Sequence, residues 1–370
     1  PVNIYKGENH AAEFHIGLNK NLFNNPSLWS KSAFFNQENT ESKNDLKKFF
    51  KVLGSNQNKP DPSLDGYIDL DYFSKFDAFL TVTSNVHHDW FHNMRLILDP
   101  WSGKATQLIV DPSIIPLSNL KILNNIATKN TDLDFSANDL SAFLNKNTEY
   151  VHKKYKWLYY FLKKKDVTVA TTNYFENIKS DLNTIYNKES FFLKYMNNES
   201  SSYVEKFEGA LLSLKENKNK ILEILESNPK TSWDKIKGGL SITIDDYTPI
   251  SDLTLSFNGS ALPKWIGVDI NYDNIINNNE PKFYINNSSK QIKIPAVLYS
   301  NRLKKSNQQT NIDHYYKLDY AKTRFELITE SNIMPDKIES KNFFNGNVFT
   351  IKKETVIDSV KTNKFNNLFL

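Results

Sequence analysis

Cysteine is absent from the 370 residues, and methionine occurs only three times. Without cysteine the chain has no disulfides, no thiolate metal sites and no cysteine nucleophile. No run of about 18 apolar residues occurs, so the sequence predicts no membrane-spanning helix. The glycine-rich phosphate loops G-x-G-x-x-G and G-x-x-x-x-G-K-S/T are missing, as is the G-x-S-x-G element of serine hydrolases. These absences exclude the commonest nucleotide-binding folds and that hydrolase class.

The chain contains enough hydrophobic residues to form packed cores. Hydrophobic residues make up 39% of the chain and aromatic residues 13%, and the length suffices for two domains with separate cores. The net charge of +4 is small. The compact basic runs, 47–51, 152–156 and 163–165, lie in helical patterns and indicate solvated helix faces. We therefore expect no nucleic-acid partner.

The pattern of apolar residues predicts an α+β chain with a boundary near residue 235. Residues 2–4 and "YKGE" indicate a strand end and a hairpin turn, with "AEFHIGL" as the returning strand. Helical spacing marks Leu46 to Leu53, a helix capped by Asp69, and the stretches 149–164, 173–196 and 204–227. From Leu240 onward, alternating strands separated by turn residues predict a β-sandwich over residues 240–370.

Residues 87–113, "HHDWFHNMRLILDPWSGKATQLIVDPS", concentrate groups that bind metals or move protons. Two apolar strands around "DPWSGK" predict a hairpin in which Leu98 faces Ala105 and paired numbers sum to 203. The same register brings Asn93 opposite residue 110 or 111.

Asn93 and Asp111 are therefore expected to meet at the open end of this hairpin, with Asp89 in the loop just before it. All three are oxygen donors, which suit Mg²⁺ or Mn²⁺. Kinases use a similar set, in which one Asp accepts the hydroxyl proton while an Asn and a second Asp hold metal ions. Their H-R-D-x-x-x-x-N spacing puts Asn five residues after Asp, whereas Asn93 follows Asp89 by four.

Simpler interpretations remain open for each of these residues. Asp89 can cap a helix or a loop, and Asp111, which precedes a proline, can begin a turn. Asp99 belongs to the "DP" turn, where a structural role is expected, and Trp101 fits either a packed aromatic or a nucleotide contact. His88 and His92 have the spacing of a zinc pair on a helix, but the segment leads into a strand and lacks the adjacent glutamate of metalloproteases.

The order of motifs resembles the bacterial spore-coat CotH kinase-like family. The residues involved are "YIDLDYFSKFDAFLTVTSN", "HHDWFHN", "RLILDPWSGK" and "LIVDPS", beside the family's "IDxDNFxxYLAxN", "D-x-x-x-N", "YLYxDPxTGKW" and "PWDxD". "PVNIYKGE" is similar to the family's "VNGEYxG" hairpin. The resemblance covers about residues 1–230.

The resemblance implies a kinase-like domain over residues 1–235. Residues 1–54 would be a remnant of the small lobe, 66–113 the catalytic segment and 114–228 a helical tail of the large lobe. The family's upstream sheet is missing, so we expect either a piece of a longer protein or a degenerate member of the family. The resemblance also implies a location at the cell surface or outside the cell.

The resemblance also implies roles for individual residues. Asp89 would be the catalytic carboxylate, Asn93 and Asp111 would hold Mg²⁺ or Mn²⁺, and Glu13 and Trp101 would contact ATP. The acceptor would be a Ser or Thr of a coat or surface protein.

The sequence also leaves a non-catalytic alternative. Ile109 and Val110 replace the family's Pro-Trp, and Ser113 replaces its second Asp. In that case the first domain would be an inactive scaffold, and the β-sandwich a module that binds carbohydrate or protein at a surface.

Overall fold

The computed structural model describes residues 3–7, 22–32, 43–55, 66–85, 88, 93–110, 114, 116, 133, 138–145, 147–188, 203–299, 301–304, 318–321, 323–354 and 368–369. The chain forms two compact units. One comprises Pro1–Leu222 with Lys304–Leu318, and the other comprises Glu223–Leu303 with Asp319–Leu370. Helices and antiparallel sheets occur together, so the α+β class predicted from the sequence is confirmed at that level.

The first unit contains a four-stranded antiparallel sheet. Its strands are β1 (Asn3–Gly7), β2 (Trp29–Ser32), β3 (Met94–Leu98) and β4 (Ala105–Gln107), in the order β2-β1-β3-β4. The predicted turn at "YKGE" is wrong for residues 5–7, which pair with both β2 and β3. A glycine is needed there because a Cβ on Gly7 would lie 3.0 Å from the Trp29 ring. The predicted returning strand, "AEFHIGL", lies outside the described residues.

Helices of the first unit overlap each stretch that the apolar spacing predicts, although the helix predicted over 173–196 begins earlier, at Val167, and Asp139–Leu144 is an additional helix. They are α1 (Asn44–Ser55), α2 (Leu70–Thr83), α3 (Asp139–Leu144), α4 (Thr148–Tyr159, continued by a π-helical turn, Tyr160–Lys164), α5 (Val167–Lys188) and α6 (Tyr203–Glu226). In α1 the predicted stripe of Leu46, Phe49, Phe50 and Leu53 is buried. Asp69 caps α2 by accepting a hydrogen bond from the Tyr72 amide at 3.0 Å, as predicted.

A buried polar cluster joins α2 to α4. The Tyr150 hydroxyl donates to Asp77 at 2.6 Å and lies 3.1 Å from the Phe73 carbonyl, and the Ser141 hydroxyl lies 3.1 Å from Asp77. Burial, followed by the charge of Asp77, holds the pKa of Tyr150 well above its usual value. The tyrosine therefore stays a donor, which offsets the cost of burying the Asp77 carboxylate.

Removing this donor should destabilise the first unit. We expect Tyr150→Phe to lower its free energy of unfolding by about 1–3 kcal/mol, since Asp77 stays buried with one donor fewer. Urea denaturation followed by helical circular dichroism measures the change. Tyr160→Phe, at a 37% exposed tyrosine, is the matched control. Equal stability of the two variants would contradict a role for this hydrogen bond.

A second prediction concerns pH and His152 in α4. Burial, followed by the charges of Lys156 and Lys153, lowers the pKa of His152 to about 3. Between that value and about 6.5 the unfolded chain binds a proton that the folded chain does not, so His152 makes stability fall as pH falls through this window. In the neutral variant His152→Gln, denaturation midpoints should fall less between pH 7 and pH 4 than in the wild type. If His152→Gln and the wild type lost stability equally between pH 7 and pH 4, the lowered pKa assigned to His152 would be wrong.

The second unit consists mainly of strands. They are β5 (Thr231–Ile236), β6 (Gly239–Ile244), β7 (Ile250–Ser256), β8 (Trp265–Asp269), β9 (Lys282–Tyr284), β10 (Gln291–Leu298), β11 (Asn301–Lys304), β12 (Leu318–Ala321), β13 (Thr323–Thr329), β14 (Lys337–Asn342), β15 (Val348–Thr350), β16 (Lys352–Lys353) and β17 (Leu368–Phe369). One sheet has the order β15-β14-β7-β10-β17 and another β16-β5-β6-β13-β8-β9, while β11 pairs with β12. The two larger sheets contribute to one hydrophobic core, as in a β-sandwich.

This unit begins earlier in the chain than the predicted boundary near residue 235. The last turn of α6 belongs to it, because side chains of the strand region bond the carbonyl groups at the helix end. Thr248 donates to the Ile224 carbonyl at 3.0 Å, and Asn342 to that of Leu225 at 2.9 Å. Strand β5 also precedes the predicted start at Leu240. Trp233 is its only fully buried residue, so β5 lacks the alternation that marks a strand in sequence.

Candidate functional site

The predicted site residues are described only in part. Asp89, Asp111 and Glu13 lie outside the described residues, as do His87 and His92. Asn93 and Trp101 are described, together with His88 and the whole hairpin between Asn93 and Val110. The geometry of this hairpin and of the chain beside it therefore defines the surroundings of the candidate site.

The hairpin has the predicted register. Leu98 pairs with Ala105, and the ladder continues through Ile97–Thr106 and Leu96–Gln107. The Leu108 amide donates to the Arg95 carbonyl at 3.0 Å, one step beyond the strands. All these pairs sum to 203, as the sequence predicts. The same register continued by two positions would set Asn93 against Val110.

The closed end of the hairpin is a turn built by Asp99. Its carboxylate accepts from the Trp101 amide at 3.0 Å and from the Ser102 hydroxyl at 2.8 Å. The Trp101 and Ser102 hydrogen bonds lower the pKa of Asp99. Gly103 has a φ of 69°, which suits the left-handed position of such a turn. The predicted structural role of Asp99 is confirmed.

Trp101 projects from this turn and is 84% exposed. The packed-aromatic interpretation of Trp101 is therefore wrong. The five residues of β3 lie between Asn93 and the turn that contains Trp101. Along the strand this is a distance of about 17 Å. A nucleotide contact by Trp101 stays a prediction.

The start of α2 packs on the second strand of the hairpin. The Ala105 amide donates to the Tyr67 carbonyl at 2.8 Å, and Ile68 forms a parallel bridge with Ala105. The Tyr72 hydroxyl donates to the Gln107 carbonyl at 2.6 Å. Burial, followed by the charge of Asp69, raises the pKa of Tyr72, so its hydroxyl stays protonated at neutral pH. These contacts fix α2 relative to the open end of the hairpin.

His88 joins the loop before β3 to the chain that follows β4. The Val110 amide donates to Nε2 of His88 at 3.1 Å, and the side-chain amide of Gln107 lies 3.3 Å from Nδ1. The ring is 1% exposed and meets Phe76 edge-on at 5.4 Å. The buried Asn138 side chain donates to the His88 carbonyl at 2.8 Å. Both the ring and the backbone of His88 are therefore held.

The contacts of His88 define its protonation form. Because Val110 donates to Nε2, that nitrogen carries no proton, and the neutral ring has its proton on Nδ1. The side-chain oxygen of Gln107, which exchanges with its nitrogen by a flip of the amide, is then the acceptor. Neither ring nitrogen is left for a metal ion, so the alternative zinc site loses His88 as a ligand.

Asn93 precedes β3 in the left-handed conformation, with a φ of 58°, and is half-buried. Asparagine tolerates this conformation better than most residues. The change of direction at Asn93 separates the loop that contains His88 from the strand.

Sequence reasoning missed the contribution of His88, Gln107 and Asn138. His88 was considered only as a metal ligand. A buried glutamine in an apolar strand is a signal that a polar partner lies nearby. Asn138 is 50 residues distant from His88 in sequence, and nothing local in the sequence indicates their contact.

No family model matches the chain, and no curated protein matches it. In the part of the chain that the structure describes, no helix is long and apolar enough to cross a membrane. Within that same part, no three acidic or histidine side chains form a metal-binding group. Asp89 and Asp111 lie outside that part.

The contact between His88 and Val110 can be tested directly. In His88→Leu the Val110 amide loses its acceptor, so we expect its hydrogen exchange to become about tenfold faster. Residue-resolved amide exchange measures this change. Tyr72→Phe is the control, because it removes the hydrogen bond to Gln107 but leaves the histidine in place. Unchanged exchange at Val110 in His88→Leu would mean that this hydrogen bond does not hold the segment.

Proposed function

We propose that the first unit is an atypical protein kinase-like domain that transfers phosphate from ATP to a Ser or Thr hydroxyl of a protein. Asp89 would act on the hydroxyl, and Asn93 and Asp111 would hold Mg²⁺ or Mn²⁺. The observation that supports this proposal best is the hydrogen bond between the Val110 amide and the His88 ring.

This hydrogen bond joins the direct sequence neighbours of the two proposed carboxylates. Asp89 follows His88, and Asp111 follows Val110. The residues that are in contact are therefore the sequence neighbours of both aspartates. Asn93 directly precedes the first strand of the same hairpin. Three oxygen donors on these segments are the donor set expected of a magnesium or manganese site.

The roles of these residues follow from their chemistry. A bound divalent ion neutralises charge on the phosphates. Asn93 and Asp111 would supply neutral and anionic oxygen ligands for it. Asp89 would accept a hydrogen bond from the acceptor hydroxyl, orient its oxygen towards the phosphorus and take its proton. Positioning of this kind accounts for most of the rate enhancement in phosphoryl transfer.

The remaining assignments rest on the resemblance to the spore-coat family. They are contacts of ATP with Glu13 and Trp101, a coat or surface protein as the acceptor, a location at the cell surface or outside the cell, and a carbohydrate or protein ligand for the sandwich.

The roles proposed for Asp89 and Asp111 can be separated by experiment. We expect Asp89→Asn to lower phosphate transfer from ATP by at least about 10²-fold, because the hydroxyl loses its base. The same variant should keep the thermal stabilisation that ATP with Mg²⁺ gives the wild type by mass action. Asp111→Asn and Asn93→Ala should lose both transfer and this stabilisation. Radiolabelled phosphate transfer and thermal unfolding are the two measurements.

Asp99→Asn is the matched control, since Asp99 lies in the same hairpin and serves the turn. It should retain transfer and stabilisation. If millimolar ATP with Mg²⁺ or Mn²⁺ does not stabilise the wild type, the catalytic proposal fails and the inactive scaffold is favoured. Full transfer activity in both aspartate variants would show that the assigned residues are wrong.

A further inference from the structure

The connection between β8 and β9 has the spacing of a calcium-binding loop. Its twelve residues, Asp269–Glu280, read "DINYDNIINNNE". Calcium loops of the EF-hand type place oxygen ligands at positions 1, 3, 5, 7, 9 and 12, with position 7 contributing its backbone carbonyl. The corresponding residues are Asp269, Asn271, Asp273, Ile275, Asn277 and Glu280.

The sixth position also fits. Calcium loops have glycine there because the chain turns sharply. The residue here is Asn274, which has a φ of 65°. Asparagine is one of the few other residues that adopt this left-handed conformation readily. The match therefore covers the ligand positions and the turn between them.

The carboxylates at the two ends of the loop are buried without a cationic partner. Asp269 is 2% exposed and Glu280 8% exposed. Asp269 accepts from the backbone amides of Tyr272 at 2.6 Å and Asn274 at 2.8 Å. Glu280 accepts from the amides of Ile270 and Asn277, both at 2.8 Å. Among the described residues, no Lys, Arg or His pairs with Asp269, Asp273 or Glu280.

This charge balance points to a cation independently of the sequence motif. Burying an ionised carboxylate costs several kcal/mol unless an opposite charge compensates it, and backbone amides are neutral. Glu326, 6% exposed, is the pairing partner of Asp269 across β13 and β8. The need for a cation comes from Asp269 and Glu280, the two buried carboxylates at the ends of the loop.

The loop contacts the sheet through Ile276 and Tyr272. Ile276 packs so closely over Gly267 that a Cβ on this glycine would lie 2.5 Å from Cγ1 of Ile276. The Tyr272 hydroxyl donates to the Arg324 carbonyl at 2.9 Å. Asn271, Asp273 and Asn277 are exposed on the outer side of the loop. An ion can therefore reach the loop from solvent.

We propose that residues 269–280 bind one Ca²⁺ ion. Asp269, Asn271, Asp273, Asn277 and Glu280 would provide side-chain oxygens, and Ile275 its carbonyl oxygen. Calcium accepts six to eight oxygen ligands in flexible geometry, whereas Mg²⁺ requires a near-ideal octahedron and keeps several waters. A loop with three carboxylates and several neutral oxygens suits the larger ion.

Binding requires a local rearrangement. The acidic groups are not arranged as a metal-binding group within the described residues. Both Glu280 oxygens accept from backbone amides, and the Asn271 and Asn277 amides approach Asp273 at 3.1 and 3.3 Å. Ca²⁺ would replace these hydrogen bonds and draw Asp273 and Glu280 together. We therefore place its dissociation constant in the weaker part of the known range, about 10⁻⁵–10⁻³ M.

The test uses the full chain freed of divalent ions by a chelator. We expect Ca²⁺ to raise the unfolding temperature of the second unit by mass action, and calorimetric titration to give one site. Glu280→Gln and Asp273→Asn should each weaken Ca²⁺ binding by at least about tenfold, since even residues behind a ligand contribute that much at metal sites. Terbium, a Ca²⁺ substitute, should luminesce by energy transfer from Tyr272 or Trp265.

Asp252→Asn is the matched control, because Asp252 is an acidic residue of the same unit that forms an exposed ion pair with Lys341. It should bind Ca²⁺ like the wild type. Asp273 is exposed, so its variant keeps the test valid if Glu280→Gln does not fold. No stabilisation by millimolar Ca²⁺, or equal binding by the wild type, Asp273→Asn and Glu280→Gln, would overturn the proposal. Since Asp89, Asn93 and Asp111 are unchanged, neither result bears on the kinase proposal.

Discussion

The hydrogen bond from the Val110 amide to the buried His88 ring is the constraint on which the candidate site depends. A backbone amide at the end of a strand needs an acceptor once water is excluded, and an imidazole needs partners for both nitrogens. One contact gives the Val110 amide its acceptor and Nε2 of His88 its donor, and it joins two segments 22 residues apart. The geometry requires the neutral ring with its proton on Nδ1. Histidine acts here as a structural acceptor, although its spacing suggested a metal ligand.

Much of the first unit could be predicted from local sequence. The stripe from Leu46 to Leu53, the cap at Asp69 and the register between Leu98 and Ala105 all follow from periodicity, capping and turn chemistry. Each depends on residues close together in the chain. The turn expected at residues 5–7 was wrong because Gly7 is required by its contact with Trp29, a partner distant in sequence. A glycine alone does not distinguish a turn from a close approach of two strands.

The candidate site was less predictable, for a related reason. Its donor residues could be chosen from hairpin geometry, but the groups that hold them depend on long-range pairs such as His88 with Asn138. Strand β5 shows the same limit: one buried tryptophan gives no alternation, and only pairing with β6 identifies the strand. Sequence periodicity indicates which face of an element is buried, whereas partner choice depends on tertiary packing.

Buried acids in the two units are compensated in different ways. Asp77 in the first unit accepts from the hydroxyls of Tyr150 and Ser141, which are side chains of the protein itself. Within the described part of the chain, Asp269 and Glu280 accept from backbone amides. Hydroxyl and amide donors stabilise a carboxylate but leave its charge in place, and the cost of that charge grows when acids are neighbours. Where a buried acid serves packing alone, we expect side-chain donors like those around Asp77. In residues 269–280 the acids have the spacing of calcium ligands along the sequence, and no cation pairs with them among the described residues, which is why we infer an ion there.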